Sequence, residues 1–137
     1  PRALCLAYPW VTTNNENQPS LSSCANTFPL TTDTMHFFNS QVFPNDLNKD
    51  HPWANPLHTE NLAGLPSTVI GTAGFDPIRD QGNAFASRLA ESGNDVTHFC
   101  FESLTHSYLM FGRVSNEAER ACETLAVALS QSLNTPD

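Results

Sequence analysis

Two residues in this sequence have the types and spacing to move a proton together. Asp76 stands in the run Gly74-Phe-Asp-Pro-Ile-Arg-Asp80, and His106 stands thirty positions later in the run Leu104-Thr-His-Ser-Tyr108. In such a pair the carboxylate orients the imidazole and stabilises its protonated form, while the ring takes a proton from a hydroxyl. A serine on a sharp Gly-x-Ser-x-Gly turn would complete the set, and no such run occurs here. Either residue alone says little, since an Asp before Pro often only forms a turn and a loop His is often a surface residue. Their joint placement on the elements around them carries the reading.

Those elements can be read from the pattern. Residues 3–8, Ala-Leu-Cys-Leu-Ala-Tyr, form a continuous apolar run that ends at Pro9. Such a run reads as a strand buried on both faces, as in a parallel sheet. Residues 12–29 are rich in Asn, Ser, Thr and Pro and read as a long loop. Thr31 or Thr32 can cap a helix with Met35, Phe38 and Val42 on one face, stopping before Pro44. Pro44, Pro52, Pro56 and Pro66 mark residues 44–66 as loop.

A second buried strand follows at 68–73, and Asp76 lies just past it, where Pro77 prevents continuation. Asp80 is expected to cap the next helix, which carries Phe85 and Leu89 one turn apart and ends at Gly93. Residues 96–103 alternate and read as a third strand, with His106 just beyond. Asn116 and Glu119 have capping-box spacing before a helix with the stripe Ala118, Ala121, Cys122, Leu125, Ala128 and Leu129. Strands alternating with helices predict an α/β fold with three mainly parallel strands and flanking helices. In such sheets function gathers at the carboxyl ends of the strands, which is where Asp76 and His106 fall.

Composition excludes several classes. A net charge of −8 leaves no basic face for nucleic acid or an anionic membrane surface. Lys49 is the only lysine, beside five arginines. No apolar stretch approaches a membrane span. Cys5, Cys24, Cys100 and Cys122 match no zinc or redox spacing and read as buried thiols of a reducing, cytoplasmic compartment. His98 sits within a strand pattern and reads as structural. His36, His51 and His58 are dispersed, so no metal site is expected.

The segment from Gly64 to Gly82, Gly-Leu-Pro-Ser-Thr-Val-Ile-Gly-Thr-Ala-Gly-Phe-Asp-Pro-Ile-Arg-Asp-Gln-Gly, resembles the signature of the hormone-sensitive-lipase-like (bacterial family IV) esterases. Leu104-Thr-His-Ser-Tyr-Leu-Met-Phe-Gly112 resembles that family's histidine loop, and Tyr8-Pro9 and Pro29-Leu-Thr also match it. The resemblance spans nearly the whole chain in order. It implies the α/β-hydrolase fold, a Ser-Asp-His triad with Asp76 as acid and His106 as base, and hydrolysis of small carboxylic esters without a cofactor. In the family the nucleophile elbow and the oxyanion loop lie upstream of these segments. Residues 1–137 are therefore expected to be the carboxyl-terminal part of a single catalytic domain, partnered by an N-terminal half with further strands.

The resemblance further implies that Leu30, Phe38 and Tyr108 line the acyl or alcohol pocket; plain core packing is the competing expectation for Leu30 and Phe38. Where the family usually has Gly-Phe after the histidine, this chain has Ser107-Tyr108, a departure that bears on pocket shape and polarity. The edge strand 96–103 is the expected seam of a homodimer, since unpaired edges invite pairing and the family often dimerises there. The alternative reading is a noncatalytic, receptor-like ligand-binding member of the same fold, or an inactive fragment. Receptor-like relatives have lost the histidine that is present here at position 106.

Overall fold

The computed structural model describes residues 1–14, 17–46 and 48–134. Residues 15, 16 and 47, within the two expected loops, lie outside the described residues. Three strands, β1 (Ala3–Ala7), β2 (Ser67–Phe75) and β3 (Val96–Thr105), form one sheet in the order β1-β2-β3. Both neighbouring pairs are parallel, with Ala3 opposite Ser67 and Thr68 opposite Val96. The helices are α1 (Ser20–Ser23), α2 (Thr32–Val42), α3 (Arg79–Glu91) and α4 (Asn116–Asn134). The α/β architecture expected from the pattern is therefore present. β2 and β3 each run two residues past their expected ends, so Asp76 and His106 follow their strands directly.

β2 is the centre of the molecule, and its residues from Thr68 to Gly74 are all buried. Successive strand side chains point to opposite faces, and the core divides accordingly. Val69 and Ala73 pack with Ala118, Ala121, Leu125 and Ala128 of α4. Ile70 packs with Phe85, Ala86 and Leu89 of α3 on the other face. Burying one such Leu contributes about 2 kcal/mol. The expected stripe of α4 holds, with Cys122 and Leu129 half-buried at its margin. Gly93, at φ +83°, ends α3 in the left-handed region that glycine adopts freely.

Several local expectations need correction. β1 is half-buried rather than buried on both faces, and Cys5 is exposed. The reason is its place in the order of strands: among the described residues only β2 lies beside it. Thr31 caps α2, accepting from the Thr34 amide at 3.0 Å. Of that helix's expected inner face only Met35 is buried; Phe38 and Val42 are 46% and 65% exposed. The long loops contain α1 and short 3-10 turns at Pro44–Asp46, Pro52–Ala54 and Pro56–His58. The cap of α4 is Ser115, one residue before Asn116: its hydroxyl accepts from the Ala118 amide at 3.3 Å.

The β2–β3 ladder loses its even register near the carboxyl end. Ala73 faces Phe101, but Phe75 faces Thr105, so β3 bulges by two residues beside Gly74. Bulges re-aim the chain near functional sites, and this one immediately precedes His106. Gly74 makes it possible, because a Cβ there would run into the backbone carbonyl of Glu102. Gly74→Ala is expected to lower the unfolding free energy by about 1–3 kcal/mol. A urea midpoint equal to that of the unaltered protein would show that the strands do not approach so closely.

Candidate active site

Asp76 begins where β2 stops. Its carboxylate, only 1% exposed, is held by two donors. The amide of Ile78 donates to Oδ1 at 3.0 Å. Nδ1 of His106 lies 2.8 Å from Oδ2. With Oδ2 as acceptor, Nδ1 carries the proton and Nε2 presents its lone pair. The imidazole is 19% exposed, so it remains reachable. Among the described residues, no hydrogen bond engages Nε2. An oriented imidazole with a free nitrogen beside a buried carboxylate can withdraw a proton from a hydroxyl and return it to a leaving group.

The loop after Asp76 is locked to the segment following β1. The Ser20 amide donates to Asp80 Oδ2 at 2.7 Å, and the Asp80 amide donates to the Ser20 hydroxyl at 3.2 Å. The same hydroxyl donates to the Pro77 carbonyl at 2.8 Å. Arg79 donates to Asp80 Oδ1 and to the Gly74 carbonyl, each at 2.9 Å. Asp80 is thus not the cap of α3; it lies in the first turn, where a carboxylate is favoured by the helix dipole, and serves the Ser20 amide. Gln81 is fully buried, and its Oε1 accepts from the amides of Val11 and Thr12 at 2.6 and 3.1 Å.

The other expected site residues divide. Leu30, 6% exposed, packs with Leu21, Met35 and Ile78. Tyr108 is fully buried among Val69, Ala73 and Leu125, and its hydroxyl has no hydrogen-bond partner among the described residues. Burial raises the pKa of that phenol, with Tyr8 and nearby thiols adding to the shift. Core packing thus describes both residues. Phe38 faces a cleft of about 250 Å³ whose walls include Trp10, Val42, Phe43, Trp53 and Pro56. Ser107, where the family usually has Gly, sits in the left-handed region at φ +61°.

His98 lies on β3 with Nε2 3.1 Å from the Thr72 hydroxyl, and burial lowers its pKa. Ser20, Gln81 and Tyr8 have site contacts that the pattern reading did not assign. Tyr8 places its ring 4.7 Å from that of His106. Its signal in the sequence is an aromatic residue before a proline at a strand end, which many strands share.

With this geometry in view, similarity to known proteins can be placed. A family model described as alpha/beta hydrolase fold matches residues 1–110. The chain is 32% identical over 116 residues to the carboxylic ester hydrolase LipN of Mycobacterium tuberculosis, covering 84% of this chain and 31% of that protein. It is 40% identical over 67 residues to an arylesterase of Saccharolobus solfataricus, covering 49% of this chain and 22% of that protein. An esterase structure from Pyrobaculum calidifontis aligns with a TM-score of 0.86 at 25% identity, over 96% of this chain and 44% of that one. This chain belongs to the alpha/beta hydrolase fold family. The esterase relatives bear out the resemblance to the hormone-sensitive-lipase-like group, and the chain spans less than half the length of these relatives. No helix among the described residues is long and apolar enough to cross a membrane.

The Gln81 contacts give a direct test of the clamp. Gln81→Met keeps the side chain's length but leaves the amides of Val11 and Thr12 without an acceptor. It is expected to cost about 1–3 kcal/mol of stability, read from chemical denaturation. An unchanged denaturation curve would mean the two amides are satisfied by other means.

Proposed function

We propose that the protein carrying this chain is a carboxylic ester hydrolase acting on small esters through an acyl-serine intermediate. In this reading the chain is the carboxyl-terminal part of one catalytic domain, and the nucleophilic serine comes from residues outside it. The reading rests on one observation above all: the 2.8 Å contact between His106 Nδ1 and the buried carboxylate of Asp76, at the ends of adjacent strands. The serine Oγ attacks the ester carbonyl carbon while its proton passes to Nε2 of His106. The tetrahedral intermediate collapses, the alkoxide leaves with that proton, and water repeats the sequence to release the acid. Asp76 orients the ring throughout and stabilises the imidazolium. Phe38, on the wall of an apolar cleft, is the candidate for contact with the acyl or alcohol group.

We further assign the edge formed by β3 and α4 as the seam of a homodimer. A groove there is lined by Phe99, Arg120, Glu123, Thr124, Val127 and Gln131, and Val127 is 57% exposed. Phe99 and Phe101 stack beside it, with ring centroids 6.0 Å apart. The free state of all four cysteines supports a cytoplasmic setting; recovery from a secreted or periplasmic fraction would overturn that placement.

In the full-length protein, Asp76→Asn is expected to lower kcat for p-nitrophenyl butyrate by about 10⁴. His106→Ala should be similarly deficient. Mass spectrometry after treatment with a serine-directed organophosphate should show a single adduct on the polypeptide that supplies the serine. Full activity in the Asp76→Asn variant would sink the triad assignment.

For the dimer, Val127→Lys places like charges against each other across a two-fold seam while suiting an exposed helix position. It should convert a dimer to a monomer by light scattering. A species of unchanged dimeric mass would place the interface elsewhere.

A further inference from the structure

We infer that Tyr8 is a positioning residue for His106, an inference that rests on the proposed role of the Asp76–His106 pair. A single hydrogen bond at Nδ1 fixes one ring atom and leaves the imidazole free to tilt about that contact. The second constraint comes from Tyr8. Its ring centroid lies 4.7 Å from that of His106, with the planes inclined at 58°. Tyr8 is itself braced edge-on by Tyr108, at 5.2 Å and 86°. Tyr108 is fully buried and meets Phe101 of β3 at 5.1 Å. The imidazole is thus the exposed end of a row of rings anchored in the core.

The backbone at Tyr8 points the same way. Its φ is +41°, in the left-handed region that bulky residues avoid, and its amide donates to the Gly71 carbonyl at 2.6 Å. Such outliers persist where the surroundings over-determine them, and they cluster at active sites. This one turns the chain at the end of β1 and lays the ring beside the imidazole. Burial raises the pKa of the phenol, so Tyr8 stays neutral. It therefore acts as a neutral ring packed beside the imidazole. The hydroxyl is dispensable in this role.

Two variants separate positioning from plain packing. Tyr8→Phe keeps the ring. Tyr8→Asn removes it but tolerates the left-handed backbone. NMR of the full-length protein provides a readout that does not depend on turnover. The unaltered protein should show a downfield His106 Nδ1 proton and ring-current-shifted His106 carbon-bound protons. Tyr8→Phe should keep both, whereas Tyr8→Asn should lose the ring-current shift and broaden the Nδ1 proton. In ester hydrolysis, Tyr8→Asn should lower kcat about ten- to a hundredfold with KM little changed. A sharp Nδ1 proton and unchanged kcat in Tyr8→Asn would overturn the inference while leaving the Asp76–His106 pair intact. Absence of the downfield proton from the unaltered protein would remove the pair itself, and the inference with it. If Tyr8→Asn does not fold, the unaltered protein still decides, because a His106 ring without ring-current shifts has no aromatic neighbour and refutes the inference.

Discussion

The site depends on a carboxylate placed where water barely reaches it. Burying the Asp76 side chain to 1% exposure is costly unless its oxygens are hydrogen-bonded and its charge has a partner. The chain meets this locally through the Ile78 amide, two residues on, and at long range through His106. The first contact follows from the turn that Pro77 begins. The second requires two strand ends to lie side by side, so the sheet must be parallel, continuous and correctly registered before the pair can form. The need to satisfy this one group links the local turn to the global fold.

The surrounding structure makes that register hard to lose. β2 is buried on both faces, so a one-residue slip would turn Val69 and Ala73 away from α4 and bring Ile70 and Gly74 against it. The bulge opposite Gly74 takes up two residues of β3, so that His106 comes level with Asp76 rather than two residues beyond it. Ser20, Asp80 and Arg79 tie the loop after Asp76 to the segment after β1, in a ring of backbone and side-chain contacts. These contacts hold Asp76 from both sides of its turn without touching its carboxylate.

The legible part of this arrangement in the sequence was whatever short-range patterning controls. The three strands, the α4 stripe and Gly93 each announce themselves within a few residues. Asp76 and His106 were legible because a strand end and a loop polar residue coincide twice at compatible spacing. What escaped depends on distant partners. Asp80 looks like a cap for its own helix, yet its carboxylate serves Ser20, sixty residues earlier. Phe38 and Val42 fit an amphipathic helix but face a cleft, because Met35 alone meets the core. Leu30 and Tyr108 were expected at a pocket only through the resemblance; in this structure both side chains are buried in the core. No local pattern distinguishes an aromatic residue at a strand end from one whose ring lies beside a histidine on a neighbouring strand end.

The contacts of His106 also indicate the direction in which its chemistry faces. The residue follows β3, but its ring touches Asp76 at the end of β2 and Tyr8 at the end of β1. The loop therefore carries the imidazole back across the strand ends toward the β1 edge. Nδ1 is committed to Asp76 and one side of the ring to Tyr8, which leaves Nε2 as the nitrogen able to meet a hydroxyl. A nucleophile approaching from the β1 side would find the base already oriented, with its partner charge buried and its tautomer set. Among the described residues, the Asp76–His106 contact is made by this sheet and its loops. In the proposed reaction the serine-bearing part contributes the attacking oxygen and the groups that steady the developing oxyanion, and leaves the orientation of the base to the residues described here.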